Sequence, residues 1–114
     1  MMKMLYSDYT IEQLREELGK LKEESQKAEQ LGEISKVEIL ERKIQMVASY
    51  MLNPSDFVPG NVHELKGDPG HTFKINFIDG MMAWGHRINL LGETYDKEEA
   101  LPISLLGDLV KDSE

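Results

Sequence analysis

Residues 72–87 read Thr72-Phe73-Lys74-Ile75-Asn76-Phe77-Ile78-Asp79-Gly80-Met81-Met82-Ala83-Trp84-Gly85-His86-Arg87. Apolar and polar side chains alternate up to Phe77 with the period of a half-buried strand, and Asp79-Gly80 is the favoured type I′ pair for closing a hairpin. Two antiparallel strands are predicted. Pairing Ile78 with Met81 across the turn sets Phe77 against Met82, Ile75 against Trp84 and Phe73 against His86, all on one face, which is expected to be the inner wall. The opposite face carries Lys74, Asn76, Ala83, Gly85 and Arg87 and is expected to be the wetter one.

An earlier strand, about Phe57 to Lys66, is marked by Val58, Val62 and Leu65 and joined to the hairpin by the Gly67-Asp68-Pro69-Gly70 turn. Val62 and Leu65 cannot share a face of a regular strand, so a bulge is expected between them. After Arg87 a loop covers about Asn89 to Glu99. Leu101-Pro102-Ile103-Ser104-Leu105 then reads as an edge strand, because proline loses a ladder hydrogen bond. Four or five short antiparallel strands within sixty residues predict a small closed or partly closed barrel of the SH3-like kind over 54–106. Residues 107–114 read as a polar tail, free to be disordered.

Upstream of Pro54 the period changes from 2 to about 3.5. Thr10 and Gln13 form a capping box, Tyr9 and Leu14 a hydrophobic staple, and Ile11, Leu14, Leu18, Leu21, Ser25 and Ala28 a heptad seam, so a helix is predicted over about 10–31. Gly32 suits the left-handed position that ends it. Val37, Leu40, Ile44, Val47 and Met51 define a second helix over about 34–52, which Pro54 stops. The short link folds the two into an antiparallel hairpin over 1–53. Ile34, Ile39, Met46, Ala48 and Leu52 widen the apolar face of the second helix beyond what one partner covers. Either the following half of the chain or a second copy is expected there. The fold class is thus α+β, an N-terminal helical hairpin followed by a small barrel, built as one compact unit with a shared core.

Composition narrows the function. The 114 residues hold 13 Lys+Arg against 21 Asp+Glu, a net charge of −8, with 40% hydrophobic residues and no Cys. That apolar content is ordinary for a globular domain, and disulfides, thiolate metal ligands and thiol nucleophiles are excluded. Met1-Met2-Lys3-Met4-Leu5 begins like a leader but stops at Ser7-Asp8, short of an h-region, and no stretch approaches the roughly 18 apolar residues of a membrane span. A cytoplasmic protein is expected. Residues 1–53 carry 8 basic and 10 acidic side chains, whereas residues 54–114 carry 5 and 11, so −6 of the charge lies in the barrel half. Direct contact of that half with a polyanion is disfavoured.

Leu40-Glu41-Arg42-Lys43-Ile44, Tyr50-Met51-Leu52-Asn53-Pro54, Pro59-Gly60, Asp79-Gly80 with Ala83-Trp84-Gly85, and Glu98-Glu99-Ala100-Leu101-Pro102-Ile103-Ser104 together resemble the YfhH family, small cytosolic proteins of bacilli. The resemblance spans nearly the whole chain. It implies a helical hairpin followed by an SH3-like barrel, and it carries a transcriptional-regulator label without any catalytic or binding motif that maps onto these residues.

The side chains that bear chemistry are sparse. His63, His71 and His86 show no HxH or HExxH spacing and read as surface or wall residues, so no metal is assigned. His86, set beside Phe73 on the inner face, is the one placed to respond to pH. Asp96, Glu98 and Glu99 read as a solvated loop. No glycine forms a phosphate-binding loop and no serine a nucleophile elbow, so no cofactor is assigned and the chain reads as non-enzymatic. Trp84, the sole tryptophan, is expected in the core, the alternative being a surface groove in which Trp84, Tyr95 and Phe57 form a platform for an extended peptide. Met46, Met51, Met81 and Met82 suit core gap-filling or an adaptable contact surface. The expected function is a protein–protein interaction module whose candidate surface comprises Phe57, Trp84, His86, Arg87, Tyr95, Ile39 and Met46, with a homodimer through helix two. The alternative is a transcriptional regulator acting on or near nucleic acid. Its basic strip would be Lys20, Lys22, Lys27, Lys36, Arg42 and Lys43, interleaved with Glu16, Glu17, Glu23, Glu24, Glu38 and Glu41 as on an ordinary solvated helix.

Overall fold

The computed structural model describes residues 5–113, so all but Leu5 of the Met1–Leu5 segment weighed as a leader lies outside the described residues. The chain divides into two compact units at Met51/Leu52, each with its own apolar cluster, where one unit with a shared core is expected.

In the first unit, α1 (Ile11–Gln30) starts at Thr10, whose side chain accepts from the Gln13 amide while Gln13 Oε1 accepts from the Thr10 amide. This reciprocal capping box satisfies two of the amides that a helix start leaves free. Gly32, at φ 71°, follows the helix end, and α2 (Ile34–Tyr50) turns back. Leu14, Leu21, Ser25 and Ala28 of α1 are buried, as are Leu40 and Val47 of α2, so the heptad seam is the interface. The surplus apolar face of α2 is met partly by a segment that the periodicity leaves unassigned. A 3₁₀ turn at Tyr6–Asp8 sets Tyr6 and Tyr9 edge to face at 5.3 Å, with the Tyr6 ring 6.1 Å from that of Tyr50.

The second unit is an antiparallel sheet of β1 (Val62–Leu65), β2 (Asp68–Asp79), β3 (Met82–Asn89), β4 (Glu99–Pro102) and β5 (Leu106–Lys111), in the order β4-β3-β2-β1-β5. β4 and β5 are its edges and do not pair, so the sheet is not closed. β1 has the expected irregularity, a register shift between Glu64 and Leu65, but begins at Val62 rather than near Phe57. Asp68-Pro69-Gly70 belongs to β2, the link being Lys66-Gly67 with Gly67 at φ 78°. The edge strand β4 lies two residues earlier than expected, and Ile103–Leu105 forms a 3₁₀ turn. Residues 107–111, expected in a polar tail, lie in β5 and pair with β1 through Val62–Lys111 and His63–Leu109.

The central hairpin differs from expectation by one residue at the turn. Asp79 pairs with Met82, so Gly80 and Met81 are the loop residues, and only Gly80 has positive φ, at 60°. That is the pattern of a type II′ turn with glycine first, which spares Asp79 the left-handed conformation a type I′ turn would demand. Ile78 then faces Ala83, Phe77 faces Trp84, Ile75 faces Gly85, Lys74 faces His86 and Phe73 faces Arg87, with Asn76 taken up in a bulge. The core face holds Phe73, Ile75, Ile78 and Ala83 with Leu65, Leu101, Ile103 and Leu106. Trp84 and His86, expected on that inner wall, lie on the opposite face. The close approach of the β2 backbone and the Phe73 ring to Gly85 is the reason. A Cβ at Gly85 would lie 1.9 Å from the Lys74 carbonyl oxygen and 3.0 Å from the Phe73 ring, so the strand facing that ring must present small residues inward.

Candidate functional site

The bulge at Asn76 ends the alternation that puts Phe73 and Ile75 inward, so Phe77 emerges on the outer face beside Trp84. Their rings stack at 5.8 Å with an interplanar angle of 6°, Phe77 being 44% exposed and Trp84 half-buried. Lys74 and His86 continue the same face one register position further along. Phe57 takes no part in this platform. It packs against the core cluster on the inner side, with its ring 5.7 Å from His63. The grouping of Phe57 with Trp84 and Tyr95 in one aromatic groove is therefore not the arrangement found.

Arg87 and Tyr95 belong to a second constellation. Arg87 follows Gly85 on the inner face, at the end where the apolar cluster stops, and its Nε donates to both Glu99 carboxylate oxygens at 3.0 Å while its NH1 donates to Asp68. Asp68 also accepts from His71 Nδ1 at 2.9–3.0 Å, and His71 Nε2 lies 2.8 Å from the Tyr95 hydroxyl. The hydrogen bond from His71, assisted by the positive charge of Arg87 and the Gly70 amide, holds the Asp68 carboxyl below the ordinary carboxylate range. With Asp68 ionised and able only to accept, Nδ1 of His71 is the donor to it, and Nε2 accepts from the Tyr95 hydroxyl when the ring is neutral and donates to the hydroxyl oxygen when it is protonated. The loop bearing Tyr95 is held at two further points, by its amide on the Arg87 carbonyl at 2.9 Å and by its carbonyl on His86 Nδ1 at 2.8 Å. His86, expected beside Phe73, thus acts as a loop anchor. A groove of about 430 Å³ runs beside His71 and Thr72, bordered by Leu65, Pro69, Leu90 and Val110.

The remaining histidine, His63, is buried between β1 and β5 and bonds through Nδ1 to the Gly107 carbonyl at 3.0 Å. Its Nε2 is buried without a hydrogen-bond partner. Among the described residues no group of three or more His, Asp or Glu side chains is arranged to hold a metal ion, and no helix is long and apolar enough to cross a membrane.

On the helical unit, Met46 lines a groove of about 640 Å³ with Leu5, Tyr6, Tyr9, Glu17, Arg42 and Lys43, whereas Ile39 projects at 55% exposure. Burial, with the negative charge of Glu17 and the neighbouring Tyr9, pushes the Tyr6 hydroxyl up, so it stays a protonated donor. The interleaved charges of the hairpin make one ion pair within 4 Å among the described residues, Lys36 to Glu33 at 3.8 Å.

Asp68, His71 and Glu99 join Arg87 and Tyr95 from positions 12 to 24 residues apart along most of the chain of contacts. Only the Asp68–His71 spacing of three residues is local, and two polar residues three apart at an irregular strand start carry no recognisable signature, so spacing alone could not have assembled the set.

Residues 4–107 match the model of a family described as proteins of unknown function, DUF1811. The chain is also 40% identical over 105 residues to an uncharacterized protein, YfhH, of Bacillus subtilis (strain 168), an alignment covering 92% of this chain and 96% of that one. With nearly its whole length matched in both comparisons, the chain belongs to the DUF1811 family.

Proposed function

We propose that this protein is a non-enzymatic cytoplasmic interaction module that binds an extended, positively charged segment of a partner protein across the outer face of β2 and β3. The observation carrying this reading is the stacked Phe77–Trp84 pair, a rigid aromatic platform with Lys74 and His86 at one end. Exposed aromatic rings supply large contact area at little entropic cost, which is why they dominate binding energetics at protein interfaces. The acidic excess of residues 54–114 gives the complementary field for a basic partner. An SH3-like reading of the unit is supported by the strand order, in which the last strand returns beside the first, and by the 3₁₀ turn that precedes it. Such folds commonly present aromatic grooves to extended peptides.

The test is photo-crosslinking from position 77 in the native cytosol, identification of the captured protein, and titration of its cross-linked segment. Phe77→Ala should weaken binding by at least about thirtyfold, the effect of a hot-spot aromatic, with a change in Trp84 fluorescence on saturation of the wild type. Affinity unchanged in Phe77→Ala would sink the reading. The regulator reading rests on Arg42 and Lys43, which line the helical groove and make no ion pair within 4 Å among the described residues. Salt-sensitive binding of duplex DNA that disappears in the double variant Arg42→Gln, Lys43→Gln would replace the peptide reading with it.

A further inference from the structure

We propose that Tyr95 is a base-activated nucleophile, a site at which this protein accepts an apolar acyl group from an activated ester. The inference stands on residues outside the aromatic platform and describes a single covalent modification rather than turnover. Its ground is geometric. A hydroxyl, an imidazole and a carboxylate stand in sequence, with 2.8 Å from the Tyr95 oxygen to His71 Nε2 and 2.9–3.0 Å from His71 Nδ1 to Asp68. These are the separations at which a base can take a proton from the nucleophile while a third group fixes the base's tautomer. Asp68 is itself held by Arg87, through the Oδ2 that His71 also reaches, and Glu99 holds Arg87 in turn, so the orienting carboxylate has a second anchor besides the imidazole. Tyr95 is 42% exposed, and the groove beside His71, lined by Leu65, Pro69, Leu90 and Val110 with the carboxylates of Glu64 and Asp68 among them, gives an acyl chain apolar side chains to lie against.

In the step proposed, the Tyr95 oxygen attacks the ester carbonyl carbon and forms the new oxygen–acyl bond. The hydroxyl proton passes to His71 Nε2. The bond from the acyl carbon to the leaving alkoxide breaks, the alkoxide keeps the electron pair, and the proton is returned to it from His71. The charged groups facing His71 are Asp68 on its own strand, Arg87 on β3, Glu99 on β4, and Glu64, which borders the same groove from β1.

The experiment uses the full chain and p-nitrophenyl butyrate, with release of nitrophenolate and peptide mapping as readouts. One butyryl group per chain is expected on Tyr95, with Tyr6, Tyr9 and Tyr50 as internal references. Exposure alone would also favour Tyr95, so the deciding comparisons lie elsewhere. His71→Gln should slow acylation of Tyr95 by about a hundredfold, the usual contribution of a positioned general base. In the wild type the rate should follow loss of an imidazole proton rather than ionisation of a phenol, which an unassisted tyrosine reaches only near pH 10. Asp68→Asn should slow the reaction as well, and the wild-type pH profile stands even if neither variant folds. A Tyr95 rate that is unchanged in a folded His71→Gln protein, or that rises with phenol ionisation, would overturn the proposal and leave the network a clamp on the loop.

Discussion

Gly85 shows how one missing side chain sets the arrangement of a sheet face. The 1.9 Å approach of a would-be methyl to the Lys74 carbonyl leaves no rotamer that relieves it, because the clash is with backbone. Gly85→Ala should cost roughly 1–3 kcal/mol or more, the range for overpacking, read as a lower midpoint in urea unfolding. Asp68 provides the pH-dependent counterpart. Its carboxyl is held below the ordinary value in the folded protein, chiefly by the hydrogen bond from His71 and then by the charges of His71 and Arg87. The folded state therefore prefers the ionised form. The stability this contributes is fully present above the unfolded carboxylate value of about 3.9 and is lost as pH falls through the lower folded value. Urea unfolding measured from pH 5 down to pH 2 should show a steeper loss in the wild type than in Asp68→Asn over that acid window. Parallel curves would remove Asp68 as a source of acid sensitivity. At this scale the sequence is a poor guide to facing. Trp84 is the residue whose size argues most for burial, yet the inward places beside it go to Ala83 and Gly85, and at Gly85 the Lys74 carbonyl and the Phe73 ring leave no room for a side chain.

Among the elements, those whose signals are local are legible. The capping box of α1, the heptad seam, the glycine between the helices and the hairpin around Gly80 each depend on residues within a few positions of one another. The outer strand β5 is different. Gly107-Asp108-Leu109-Val110-Lys111 looks like a tail because Leu109 and Val110 are about half exposed and its place depends on backbone pairing to a strand more than forty residues away. Cutting the chain after Leu106 tests the strand directly. Without β5 the Val62–Leu65 strand loses a neighbour on one side, and His63 loses the Gly107 carbonyl. The amides of β1 should then exchange with deuterium far faster than those of β2, while a true tail would leave their protection unchanged. The candidate site follows the same logic. Tyr95 stands out in the sequence as an aromatic residue in a loop, whereas the role of His71 depends on a contact 24 residues away that spacing does not encode.

At the level of the whole molecule, charge was the most readable property and partnership the least. The −6 of residues 54–114 follows from counting, and it directs the choice of partner chemistry without naming one. The helical unit leaves Ile39 55% and Ile34 72% exposed, while Met46 is partly taken up by the tyrosines of the N-terminal turn. A contact between copies centred on Ile39 would be small, and small interfaces are weak. Light scattering should accordingly show the 13.0 kDa chain at low concentration and a mass rising toward twice that value at high micromolar concentration, with Ile39→Glu abolishing the rise. A constant monomer mass would rule out the homodimer. The bulge at Asn76 has a consequence for chain length itself. Asn76 and Phe77 both face outward, so removing Asn76 would restore strict alternation while leaving Phe77 outward and Ile78 inward. The central hairpin thus holds one position at which a residue can be lost without exchanging the buried and exposed sets, and the cost of the loss falls on the hydrogen bond from Asn76 to Glu98.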